Sequence, residues 1–187
     1  MGNALNDARD KLKERTGLNS YVLVWIFTGF SLFFLLLALI TGWYTFQVAG
    51  IKDSANLFDF KGFDGVGAIK LAAALLIFAM FAGFGAIGLV FKAKQDADNK
   101  FMKFATLALA VGAVMIFVAF ISAVSADVCA GADQTDGVEC TKFGAGSAMA
   151  LFFALPLMGF SAGLAFAASN EYDPGSSDVA AKHDEEF

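Results

Sequence analysis

The sequence predicts an all-α membrane protein: a four-transmembrane-helix bundle with both termini on the cytoplasmic side and short outer loops. Three observations carry that expectation. Hydrophobic residues make up 58% of the 187 positions and charged residues 17%, against roughly 45–50% and 25% in soluble domains, and the mean hydropathy is +0.65. Long stretches carry no charge at all, at 16–51, 71–91, 104–126 and 143–170. A helix needs about 20 apolar residues to cross a hydrocarbon core of ~30 Å, and all four stretches are long enough. Finally, Lys and Arg are unevenly placed: Arg9, Lys11, Lys13, Arg15, Lys92, Lys94, Lys100, Lys103 and Lys182 share one side of a four-span topology. Only Lys52, Lys61, Lys70 and Lys142 fall on the other. Positive residues concentrate in cytoplasmic segments, which sets the orientation.

Residues 1–20 form a polar cytoplasmic segment. Asn3, Asn6 or Asp7 caps a short interfacial helix of alternating charge that Gly17 stops. The first span, about 21–45, lies too far from the N-terminus and is too long for a cleavable signal and reads as a signal anchor. Trp43 and Tyr44 mark its outer aromatic belt and Trp25 the opposite interface. The first outer loop contains Phe58, Phe60 and Phe63. The alternation of Phe58 and Phe60 with Asp59 and Lys61 is a short strand signal, and these rings meet another protein, dip into the membrane interface or fold onto the bundle itself. Spans two and three, about 66–91 and 104–125, are joined by a lysine-bearing inner connection. The second outer loop holds Cys129 and Cys140 on either side of a small, polar, glycine-containing segment able to turn back on itself. A loop facing an oxidising compartment permits a disulfide between them. The fourth span is about 143–168, with Pro156 at its middle, where a missing N–H and a clash with the Phe152 carbonyl predict a kink. The tail, 169–187, is acidic: Glu171, Asp173, Asp178, Asp184, Glu185 and Glu186 stand against Lys182, which accounts for the net charge of −5. Its last residues, Glu185, Glu186 and Phe187, offer a carboxylate-terminated motif to a cytoplasmic partner.

Small residues recur at spacing four. In the fourth span Gly159, Gly163 and Ala167 make one stripe, and Gly146, Ala150 and Ala154 another. The second span has Ala68 and Ala72, then Ala79 and Gly83. Lipid is as apolar as leucine, so helices associate through close backbone approach at such stripes. They pack the four helices on each other or form a face for self-association.

What the spans lack narrows the function. No Asp, Glu, Lys, Arg or His lies deep within any of them, whereas ion-coupled transporters and proton relays keep intramembrane ionisable groups. The one histidine, His183, is in the tail. Neither a metal cluster nor an acid–base pair nor a nucleophilic set can be assembled, so no enzyme activity, cofactor or metal is expected. The run of Gly83, Gly85 and Gly88 matches a dinucleotide fingerprint in form only, because it sits within an apolar span with no strand before it. Clustered basic residues of the kind nucleic acid requires are missing too.

Topology, short outer loops and a Gly/Ala/Phe-rich last span resemble the claudin, MARVEL and amastin-like group of tetraspan proteins. The passage that carries the likeness runs from Cys140 through Thr141, Lys142, Phe143, Gly144, Ala145 and Gly146 into the fourth span. Both cysteines stand in the second loop, as in some MARVEL proteins. The resemblance implies a non-catalytic role in organising membrane domains, in adhesion or in assembly. The partners expected are the lipid bilayer and other membrane proteins, or further copies of the chain, in the plasma membrane or a secretory-pathway membrane. Two other readings remain open: an accessory subunit of a larger membrane complex, and an oligomeric pore.

Overall fold

A backbone amide in hydrocarbon has no water to bond, so a spanning segment must satisfy its own N–H and C=O groups, and the helix does so within one segment. The computed structural model describes residue 11 and residues 19–48, 51–59, 66–96, 99–126, 129, 138–141 and 143–171. Four helical stretches among them are long and apolar enough to cross a membrane, which makes this a multi-pass membrane protein. They are α1 (Ser20–Ile40), α2 (Val66–Asp96), α3 (Asn99–Ser125) and a fourth, composite span. That span runs without a break from a short α4 (Ala145–Ala148) through a π-helical turn (Met149–Ala154) into α5 (Leu155–Glu171). The interfacial helix expected in residues 1–20 and the acidic motif at Glu185, Glu186 and Phe187 lie outside the described residues.

Helix α1 starts at Asn19, whose side chain accepts from the Tyr21 N–H at 3.5 Å. It stops at Ile40, five residues short of the expected end, where Thr41 turns extended and returns both its N–H and its hydroxyl to the Leu37 carbonyl at 2.9 and 2.7 Å. The chain then enters a strand, and a small sheet is added to the expected four-helix bundle here. β1 (Tyr44–Val48) pairs antiparallel with β2 (Ile51–Ala55) and with β3 (Val138–Thr141), in the order β2-β1-β3. The hairpin closes between Val48 and Ile51, while Phe46 stands opposite both Asp53 and Cys140. Of the strand expected around Phe58 and Phe60, the described residues Leu57 and Phe58 lie in a turn, with Leu57 buried. The connection between α2 and α3 is also shorter than its charges suggest: α2 runs on to Asp96 and α3 begins at Asn99. Lysines end the hydrocarbon-embedded part of a helix without ending the helix.

Packing inside the bundle depends on small residues. Ala72, Ala79 and Ala86 on α2 and Ala105, Ala119 and Ala123 on α3 are almost fully buried. A Cβ at Gly83 would stand 2.7 Å from Leu32 Cδ2 of α1, and one at Gly112 would stand 2.6 Å from Met158 Sδ of α5. The Met158 thioether thus fills the space left by two glycines on two different helices, an irregular gap that an unbranched side chain suits. Helix α1 lies antiparallel to the fourth span. Phe27 packs edge-on to Phe160 and Phe34 stacks on Phe153, at centroid separations of 4.9 and 4.7 Å. Between them the Ser31 hydroxyl donates to the Ala154 carbonyl at 2.8 Å.

The π-helical turn lies immediately before Pro156. Proline removes one donor and its ring crowds the carbonyl four residues back. Widening the preceding turn to i→i+5 bonding moves that carbonyl aside, and the Leu155 N–H bonds to the Ala150 carbonyl accordingly. The adjustment to proline takes the form of an enlarged turn, with Ser31 serving its last carbonyl. Pro156 itself is exposed on the bundle surface.

Candidate interaction surface

The described residues outside the helices converge where α1 ends and the fourth span begins. Gly42 and Trp43 carry the chain from α1 into β1, and their carbonyls accept from the N–H groups of Gly146 (2.9 Å) and Gly144 (2.8 Å). A helix start leaves its first N–H groups unpaired. Here the neighbouring backbone supplies the acceptors, and the partial charges at the two helix ends attract. Two glycines make the approach possible. A Cβ at Gly144 would fall on the Gly42 carbonyl and within 2.9 Å of the Trp43 carbonyl carbon, and one at Gly146 would fall on the Trp43 ring.

Trp43 and Tyr44, expected in an aromatic belt, are instead 1% and 0% exposed. Each carries a polar tip that must find a partner once buried. Trp43 Nε1 donates to the Ala38 carbonyl at 2.6 Å, and the Tyr44 hydroxyl donates to the Ala123 carbonyl, also at 2.6 Å. Both acceptors lie in the last turn of a helix, where carbonyls run short of intrahelical donors, and the Ala123 carbonyl also accepts from the Ala126 N–H at 3.2 Å. The sheet is thereby fastened to α1 through Trp43 and to α3 through Tyr44. The third fastening is covalent. Cys129, just past α3, is bonded to Cys140 on β3, with Cα atoms 5.6 Å apart, and no free cysteine remains.

Burial pushes the Tyr44 phenol up from 10.0 to about 12. The folded site holds the neutral phenol, so its contribution to stability is complete below pH 10. That contribution drains away as pH rises from 10 toward 12, where the unfolded chain has already ionised. Across that window the wild type should lose about 3 kcal/mol more than Tyr44→Phe, read as the difference between their base-induced unfolding curves. Parallel curves would refute the assignment. Removal of the disulfide has a separate signature. Cys129→Ser with Cys140→Ser should cost about 2–3 kcal/mol on the loop-entropy model and expose the connection between α3 and the fourth span to protease while the four spans stay inserted. Protease resistance equal to that of the wild type would show that the bond does not hold the loop.

The other residues expected from the sequence fall in several places. Ala79 and Gly83 lie buried on α2 against the bundle. The stripe Gly159, Gly163, Ala167 is split: Ala167 is buried and Gly163 half-buried, while Gly159 is exposed with open space where a Cβ would point. The packed seam of the fourth span instead runs along Gly146, Ala150 and Ala154 into Met158, Ser161 and Ala165. In a helix this rich in Ala and Gly, several faces show small residues at spacing four, so spacing alone does not select among them. Phe58 is 54% exposed; Phe60 and Phe63 lie outside the described residues.

No pattern in the sequence marks Gly112 or Met158 as a contact, or Trp43, Tyr44 and Gly144 as parts of a fastening. One signal was legible: Tyr44-Thr45-Phe46-Gln47-Val48 alternates apolar with polar residues and is rich in aromatic and β-branched side chains. No charge separates it from α1, so the span expected from the sequence runs on into its first two residues, Tyr44 and Thr45.

β2 is the exposed edge strand of the sheet. Ile51, Lys52, Asp53 and Ser54 of β2 are all exposed, Ile51 at 74%. Among the described residues no strand pairs with the outer edge of β2. No group of three metal-ligating side chains occurs among them either. The class so defined is a multi-pass four-helix membrane protein with a disulfide-fastened sheet at one end. Compared with models of protein families and with curated proteins, the chain matches none.

Proposed function

We propose that this is a non-catalytic tetraspan protein that organises membranes by lateral association, with its termini cytoplasmic and its sheet on the outer face of the plasma membrane or a secretory-pathway membrane. The exposed edge of β2 supports this reading above all else. An unpaired edge is a template for another strand, and β1, with which β2 pairs, is fastened to α1 through Trp43 and to α3 through Tyr44. A second copy of the chain offers an identical edge, and two such edges pair antiparallel about a two-fold axis normal to the sheet. The resemblance to claudin and MARVEL proteins points the same way.

Cysteine trapping tests the reading with the Cys129–Cys140 bond kept: in native membranes under mild oxidation, the single substitutions Lys52→Cys, Asp53→Cys and Ser54→Cys should yield a disulfide-linked dimer, most of it at the residue nearest the two-fold axis. A chain that stays monomeric at all membrane concentrations would refute self-association. Stoichiometric co-purification of other membrane subunits would instead identify an accessory subunit. Orientation is tested by an impermeant thiol reagent in a background lacking Cys129 and Cys140. On intact cells it should label Ser54→Cys and leave Ser177→Cys untouched.

A further inference from the structure

The bundle carries a furrow along the exposed flank of α3. At its polar end, a depression of about 440 Å³ between α3 and α5 is lined by Lys103, Thr106, Leu107, Ala110, Phe166 and Asn170, among others. A second depression, of about 430 Å³, continues from Ala110 past Val111, Val114 and Val118 against Leu75 of α2. Ala110, small and exposed, lines both. The polar end carries a cation: Lys103 is exposed and makes no ion pair among the described residues, whereas the nearby Lys92 ammonium sits over the Phe101 ring at 4.7 Å. Beyond Leu107 the lining is apolar.

We propose that this furrow is a binding site for one phospholipid with an anionic headgroup, from the leaflet on the side of the α2–α3 connection. Charge and length select the occupant. The phosphate and its net negative charge meet the Lys103 ammonium, with the Asn170 amide alongside; a choline headgroup would set a second cation beside the lysine. Half of a ~30 Å hydrocarbon core is about 15 Å, or roughly ten residues of helix. An acyl chain whose head lies at Lys103 therefore runs past Leu107 and Ala110 and ends beside Val114. Inorganic phosphate would meet the lysine but leave the apolar furrow unfilled. The proposal rests on the membrane-spanning reading of the four helices and is independent of the β2 edge.

The test uses the full-length purified protein, stripped of lipid in mild detergent and titrated with phosphatidylglycerol or with phosphatidylcholine of the same chains, with bound lipid counted by native mass spectrometry. Phosphatidylglycerol should bind at one saturable site and more tightly than phosphatidylcholine. Lys103→Gln should weaken it about fivefold, from the ~1 kcal/mol a lysine contributes near an anionic headgroup. Ala110→Phe, which fills the furrow without touching the lysine, should also weaken it. Lys52→Gln, on the sheet, should have no effect. Both furrow positions are exposed, and thermal unfolding in the absence of lipid should match the wild type. Equal affinity for the two lipids, undiminished binding by Lys103→Gln, or full competition by inorganic phosphate would each overturn the proposal. So would a change in lipid-free stability on Lys103→Gln, which would mean that the lysine already has a partner within the chain.

Discussion

Gly146→Ala should lower thermal stability by roughly 10 °C, although it adds a single methyl group. The new Cβ would fall on the Trp43 ring, 2.5 Å from Nε1, and 2.9 Å from the Ala38 carbonyl oxygen. The ring cannot swing aside, because it is 1% exposed and its Nε1 is bonded to that same carbonyl. Overpacking of this kind costs about 3 kcal/mol, and a domain of this size shifts by roughly 2–4 °C per kcal/mol. Gly144→Ala should be as harmful, since its Cβ meets backbone atoms of Gly42 and Trp43 that have still less freedom. Gly159→Ala is the control. It has open space around it, and alanine is preferred over glycine in a helix by up to about 1 kcal/mol, so it should be neutral or stabilising. Thermal unfolding in detergent reads all three. If Gly146→Ala and Gly159→Ala behave alike, the close approach of the two helix ends is not what holds them.

Trp43→Ala should be the most damaging single change in the molecule, costing about 3–5 kcal/mol as a large buried ring is deleted. It also leaves the Ala38 carbonyl unpaired in a buried site. Trp43→Phe separates the two effects. It keeps most of the ring and removes only the donor, for which about 1–3 kcal/mol is expected. Trp43 and Gly146 are in contact, so their effects should not add. With Trp43 truncated, the methyl group of Gly146→Ala has room, and most of its cost should vanish in the double variant. Strict additivity would show that the glycine is required for a reason other than the indole.

Much of the helical core could be read in advance because its cause is local. A charge-free stretch long enough to cross hydrocarbon must be helical, since only a helix satisfies its own backbone there. The four apolar helices therefore stand where the charge-free stretches lie. Charges, however, report where the hydrocarbon ends, and backbone bonding decides where the helix ends. So α2 continues past Lys92 and Lys94, while α1 stops at Ile40 with no charge near. The same limit hid the sheet. Thr45 and Gln47 are uncharged, so β1 extended the first apolar stretch instead of interrupting it. Pairing with β2 and β3, the latter distant in sequence, is not encoded in either strand alone.

Composition determined a membrane protein of four apolar helices, and loop composition determined that Cys129 and Cys140 could meet. Both arise from the solvent around each segment and from short-range chain geometry. The tertiary structure decided which small residues touch. Gly83 and Gly112 receive Leu32 and Met158, Gly144 and Gly146 admit the Gly42–Trp43 backbone and the indole, and Gly159, of the same residue type at the same spacing, faces outward. Glycine spacing states where a close approach is permitted. Where one occurs depends on how a neighbouring helix is rotated and where it ends, and here the hydrogen bonds of Trp43, Tyr44 and Ser31 to carbonyls of other segments of the chain set those positions.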